Sequence, residues 1–92
     1  MEEITSHGFD NEVHGKLLHR DFDPKQVGEI RSAYDHALVE SGRHSFDRNH
    51  FEELWGHMEK HSALKNLSET KRDAARSVFM GQLGIKDDIK EN

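Results

Sequence analysis

From Val27 to Ser41, apolar or small residues recur in steps of three and four, at Val27, Ile30, Tyr34, Ala37, Leu38 and Ser41. That spacing lays a single stripe along a helix of 3.6 residues per turn. The start is marked by Asp23, whose carboxylate suits the orphan N–H groups of a first turn. Pro24 follows at the first helical position, and Gln26 completes an Asp-x-x-Gln capping box. Phe22, just ahead of the cap, is placed to staple onto Val27. Gly42 supplies the residue that best tolerates the left-handed conformation closing a last turn.

A second stripe, Phe51, Leu54, Trp55 and Met58, runs on toward His61 behind Asp47 as cap, with Phe46 stapled to Phe51. A third joins Ala74, Ala75, Val78, Phe79 and Leu83. It is capped by Ser68, or by Asn66 with Glu69 as box partner, and Gly84 ends it; residues 62–67 are the link before it. The Phe-Asp signature occurs once more at Phe9-Asp10 and predicts a short first helix from Asp10 to about Arg20, with Val13, Leu17 and Leu18 inward. Gly15 in its middle costs about 1 kcal/mol relative to Ala. Residues 1–9 carry little periodicity and read as a flexible arm, and residues 85–92 as a frayed tail. No strand pattern stands out. The expected fold is one all-α domain spanning 1–92, a compact bundle of three firm helices plus a short N-terminal helix, with short connections and antiparallel or steeply crossed neighbours.

Composition narrows this picture. Of 92 residues, 33% are hydrophobic and 34% charged, which implies a thin core that gains from a partner or a second copy. The formal charge of −5 argues against general affinity for nucleic acid or an anionic membrane. Without cysteine there is no disulfide, no thiolate metal site and no cysteine nucleophile. Met1-Glu2-Glu3-Ile4 lacks the basic and apolar regions of a secretory signal, and no apolar run approaches the roughly 20 residues of a membrane span. A cytoplasmic setting is expected.

Eight histidines are the compositional oddity. His50, Glu53, His57 and His61, spaced three, four and four apart, fall on one side of a helix running from Asp47 to His61. Imidazoles one turn apart can share Zn²⁺ or Ni²⁺, with Glu53 adding an oxygen. The plainer reading makes them hydrogen-bonded or solvated histidines at the edge of an amphipathic helix, and a third makes them pH sensors. Val27 to Met58 has the helix–loop–helix outline of an EF-hand, but a calcium loop counted from Asp35 sets Ala37 and Val39 where oxygen ligands belong. As a helix-turn-helix, the same segment would aim Glu52, Glu53 and Glu59 at phosphates. Serines sit at caps and loops, and no phosphate-binding glycine loop is present, so no catalytic residue is assigned.

The function expected from these features is a small non-enzymatic protein–protein interaction module, of regulator, adaptor or inhibitor type. Its partner is another protein, or a second copy in a homodimer, with no membrane role. The charge is segregated: residues 1–59 carry a net −7 and residues 60–76 a net +3. Candidate partner-binding residues are Trp55, Phe51 and Met58, should they lie at a rim, with Lys71, Arg72 and Arg76. Otherwise Trp55 and Tyr34 are core. A metal-binding protein using His50, Glu53, His57 and His61 is the alternative, and nucleic-acid binding through the basic start of the last helix is the third.

Overall fold

The computed structural model describes residues 3–85. Its longest helix, α3 (Pro24–Ser41), forms as its local signals dictate. The Asp23 carboxylate accepts the Gln26 N–H at 2.8 Å, and the Gln26 side chain accepts the Asp23 N–H at 3.1 Å, closing the capping box. Gly42, at φ 71°, donates its N–H to the Leu38 and Val39 carbonyls and ends the helix. The face buried is Val27, Ile30, Ala33, Tyr34, Ala37 and Leu38.

Beyond the Gly42 turn, the expected third helix is divided. The Asp47 carboxylate accepts the Asn49 N–H at 2.7 Å and so starts a 3-10 turn, Arg48–His50. Only then does α4 (Phe51–Glu59) begin, and it stops two residues short of His61. Residues 62–67, expected as a link, contain a one-turn helix, α5 (Ser62–Lys65), which buries Ala63 and Leu64. The final helix, α6 (Glu69–Leu83), starts where Ser68 Oγ accepts the Lys71 N–H at 3.2 Å and ends at Gly84, φ 73°.

The N-terminal segment departs most from expectation. A two-residue strand, β1 (Glu3–Ile4), pairs antiparallel with β2 (Phe46–Asp47), setting Glu3 opposite Asp47 and Ile4 opposite Phe46. Helical turns follow without a break: α1 (Ser6–Gly8), a π turn (Phe9–Val13) and α2 (His14–Leu18). Residues 3–9 are therefore packed structure and not an arm, with Ile4 and Phe9 in the core. Nor does Asp10 cap a helix. Thr5 does so, its hydroxyl accepting the Gly8 N–H at 3.0 Å. Asp10 instead lies inside the π turn, where its carboxylate receives the Arg31 guanidinium at 3.0 Å. Val13 and Leu17 face inward as expected, whereas Leu18 is 40% exposed. Residues 85–92 were expected to fray; Ile85 packs against the core, and 86–92 lie outside the described residues.

The result is an all-α fold with one short ladder, in which α3 lies against α4 and α5. At its centre, the Phe79 ring of α6 meets Phe9, Phe46 and Trp55 at centroid distances of 6.0, 5.0 and 5.5 Å. Tyr34 adjoins Phe9 at 5.1 Å and Phe46 at 6.2 Å. Buried aromatic side chains with polar tips must place those tips on partners. The Tyr34 hydroxyl donates to the Ile4 carbonyl at 2.7 Å, and Trp55 Nε1 donates to the Glu59 carboxylate at 2.9 Å. Burial pushes the Tyr34 phenol up to about 12.

Candidate functional site

The residues singled out as partner-binding do not come together on one open surface. Phe51, Trp55 and Met58 are 3%, 2% and 0% exposed, the core placement. Lys71 donates its ammonium to the Asp21 carbonyl and sits 4.4 Å from the centre of the Phe22 ring. Arg76 meets the Glu52 carboxylate at 2.8 Å and covers the Phe51 ring at 4.9 Å. Arg72 shares a surface cleft with Glu59, Glu69 and Asp73.

The metal stripe is broken for a physical reason: it assumed one unbroken helix. His50 belongs to the 3-10 turn, with Nδ1 3.5 Å from the Asp47 carboxylate. The Glu53 carboxylate lies 3.6 Å from the Arg43 guanidinium. Only Glu53 and His57 fall within α4, because the chain leaves the helix at Lys60 and turns extended at His61. His61 Nδ1 accepts the Ala63 N–H at 3.0 Å. Its proton is then on Nε2, and neither ring nitrogen has a lone pair to offer a cation. Among the described residues, no group of three or more His, Cys, Asp or Glu side chains is placed to hold a metal ion.

A different site lies between α2 and α6. It is a cleft of about 290 Å³, lined by Lys16, His19 and Arg20 on one side and by Ser77, Val78 and Gly81 on the other. Spacings of three and four residues turn the three basic side chains to one side of their helix end. The opposite wall follows from the same rule: Ser77 and Gly81 are one turn apart, and Val78 between them is almost fully buried. Buried Leu17 and Leu83 anchor the two helices in the core.

Gln82 pins the two walls at this register. Its amide oxygen accepts the Lys16 ammonium at 2.6 Å, while its amide nitrogen donates to the Glu12 carboxylate. His19 and Arg20 point their side chains to no hydrogen-bond or ionic partner among the described residues. The lining itself contains no carboxylate. That separates this cleft from two others, in which Arg48 and His50 face Glu52 and Glu53, and Arg72 faces Glu59, Glu69 and Asp73. A free guanidinium beside an imidazole and a tethered ammonium is chemistry for receiving carboxylates through charge-assisted hydrogen bonds. The Lys16, His19 and Arg20 cluster is visible in the sequence; its facing wall, some sixty positions later, is not.

No helix among the described residues is long and apolar enough to cross a membrane. Comparison of the chain with protein-family models, curated proteins and solved structures finds no match in any of the three.

Proposed function

We propose that this chain is a small non-enzymatic interaction module that takes an acidic segment of a partner protein into the cleft between α2 and α6. The supporting observation is the cleft's lining: Lys16, His19 and Arg20 with no carboxylate among them, the latter two unengaged within the described structure. In a chain of net charge −5, a local positive cleft steers a short acidic segment while the molecule as a whole repels long polyanions. Elsewhere, Arg31, Arg43 and Arg76 are each paired with a carboxylate of their own chain. A cleft of this size seats a few side chains, which suits a transient regulatory contact. The cytoplasm is the setting this reading assumes, in keeping with a chain free of cysteine.

The test is an NMR titration of the labelled protein with a short polyglutamate peptide. Saturable amide shifts centred on Lys16, His19, Arg20, Ser77 and Gly81, lost in Arg20→Glu and weakened by salt, are the expected result. Absence of shifts at these residues, or equal shifts in Arg20→Glu, overturns it. Tighter binding of a single-stranded RNA of equal charge at the same residues would replace the protein partner with nucleic acid. Concentration-dependent dimerisation through this cleft would replace it with a second copy.

A further inference from the structure

The turn between α4 and α5 carries an unusual cap. At the head of α5, the capping position is occupied by His61, in extended conformation (φ −77°, ψ 143°), and Nδ1 of its imidazole accepts the Ala63 N–H at 3.0 Å. Helix caps are ordinarily Ser, Thr, Asp or Asn, whose side-chain oxygens remain acceptors throughout the neutral and mildly acidic range. An imidazole nitrogen does not. Once Nδ1 takes up a proton it becomes a donor, and it then confronts the Ala63 N–H donor to donor. The same half-buried ring is packed edge-on against His36 of α3, with centroids 5.3 Å apart and planes at 63°.

We infer that His61 is a proton-sensitive cap that couples pH to the seating of α5 on α3. The charged and titratable surroundings favour that response. From α3, the facing group is His36, with Glu40 one turn further along the same row. From α4 the nearest titratable residue in sequence is His57, in the last turn of that helix. Lys60 precedes the cap, and Lys65 closes α5. His61 forms no ion pair with any described carboxylate. Protonation of either histidine of the His36–His61 pair places a cation against the other ring. The consequence reaches the core, because α5 holds Leu64 fully buried and Ala63 nearly so. At neutral pH the cap is closed and α5 is seated. On acidification the cap bond is lost, and α5 with Leu64 loosens while α3 and α6, capped by Asp23 and Ser68, keep their ends.

The experiment is amide hydrogen exchange and chemical-shift titration of Ala63 and Leu64 between about pH 8 and about pH 5, the span in which imidazoles titrate. After correction for intrinsic exchange, wild-type Ala63 is expected to lose about five-fold in protection across the span, the ratio a helix cap is worth. His61→Asn and His61→Asp retain an acceptor that does not titrate as an imidazole, so both fold with α5 seated and should give a flat profile at Ala63. Flat protection in the wild type overturns the inference. So does a wild-type-like response in His61→Asn, or a response abolished by His36→Phe but not by His61→Asn, since each moves the switch to another group.

Discussion

The Tyr34 hydroxyl provides a sharp test of how β1 is held. It donates at 2.7 Å to the carbonyl of Ile4, and both side chains are fully buried. Tyr34→Phe keeps the ring and its contacts with Phe9 and Phe46 but removes the donor. The net loss for one hydrogen bond, with part of the cost of an unsatisfied carbonyl, comes to about 1–2 kcal/mol. In a domain of this size each kcal/mol is worth roughly 4–8 °C in Tm. The pH dependence adds a second, independent signature. Burial pushes the Tyr34 phenol up to about 12, above the ordinary phenol value of about 10. The folded state therefore keeps a proton that the unfolded state has released. The sign follows: this contribution is complete below about pH 10 and is lost as pH rises toward 12. Two units correspond to about 2–3 kcal/mol. Urea denaturation followed by Trp55 fluorescence, run on both proteins over a series of pH values, gives the difference between them, in which the titration of lysines cancels. Wild type should be the more stable by about 1–2 kcal/mol near neutrality, with the gap closing or inverting as pH approaches about 12. Equal stability at neutral pH, or a gap that stays constant up to that pH, would refute the reasoning.

Three further outcomes follow from the same structure. Gly42→Ala should destabilise by about 1 kcal/mol, because at φ 71° the added Cβ is strained although no neighbouring atom obstructs it; an unchanged denaturation midpoint would count against the cap. Arg31→Met removes the cation that pairs with both Asp10 and Asp35 and lies over the Phe9 and Tyr34 rings. The hydrogen bond from Arg31 holds the Asp10 carboxyl below its ordinary value, so its contribution is present above the carboxylate range and lost as pH falls through it; in the variant, carboxyl NMR should find Asp10 titrating higher. Phe79→Ala should cost about 3–5 kcal/mol, read from the denaturation midpoint and a collapse of the near-UV signal, since the ring meets three others at once.

What could be read from sequence was what is decided locally. The capping box at Asp23, the glycine terminators at Gly42 and Gly84 and the serine cap at Ser68 each act within one turn, and each lies where its pattern implies. Phe9-Asp10 carries the same signature and yet caps nothing. Its segment is claimed by longer-range contacts: Phe9 by Tyr34 and Phe79, Asp10 by Arg31. Strand β1 was illegible because two residues have no period, and its pairing is supplied by Phe46 and Asp47 more than forty positions later. The histidine stripe was drawn on a helix assumed to continue, whereas a cap formed by an imidazole has no recognised sequence signal. The cleft escapes a reading from sequence: Lys16, His19 and Arg20 lie close together in the chain, but the small-residue wall that makes them a cleft comes from α6.

Phe79 is the common neighbour of Phe9, Phe46 and Trp55, and it is contributed by α6, the last helix among the described residues. Without α6, Phe9, Phe46 and Trp55 keep neighbours in Tyr34 and Phe51 but lose the ring that all three share. Loop-closure entropy rises only slowly with chain length, so the separation between Phe9 and Phe79 delays folding more than it opposes it. A chain without α6 therefore leaves Phe9, Phe46 and Trp55 short of their common cover, and exposed apolar surface of that kind invites aggregation.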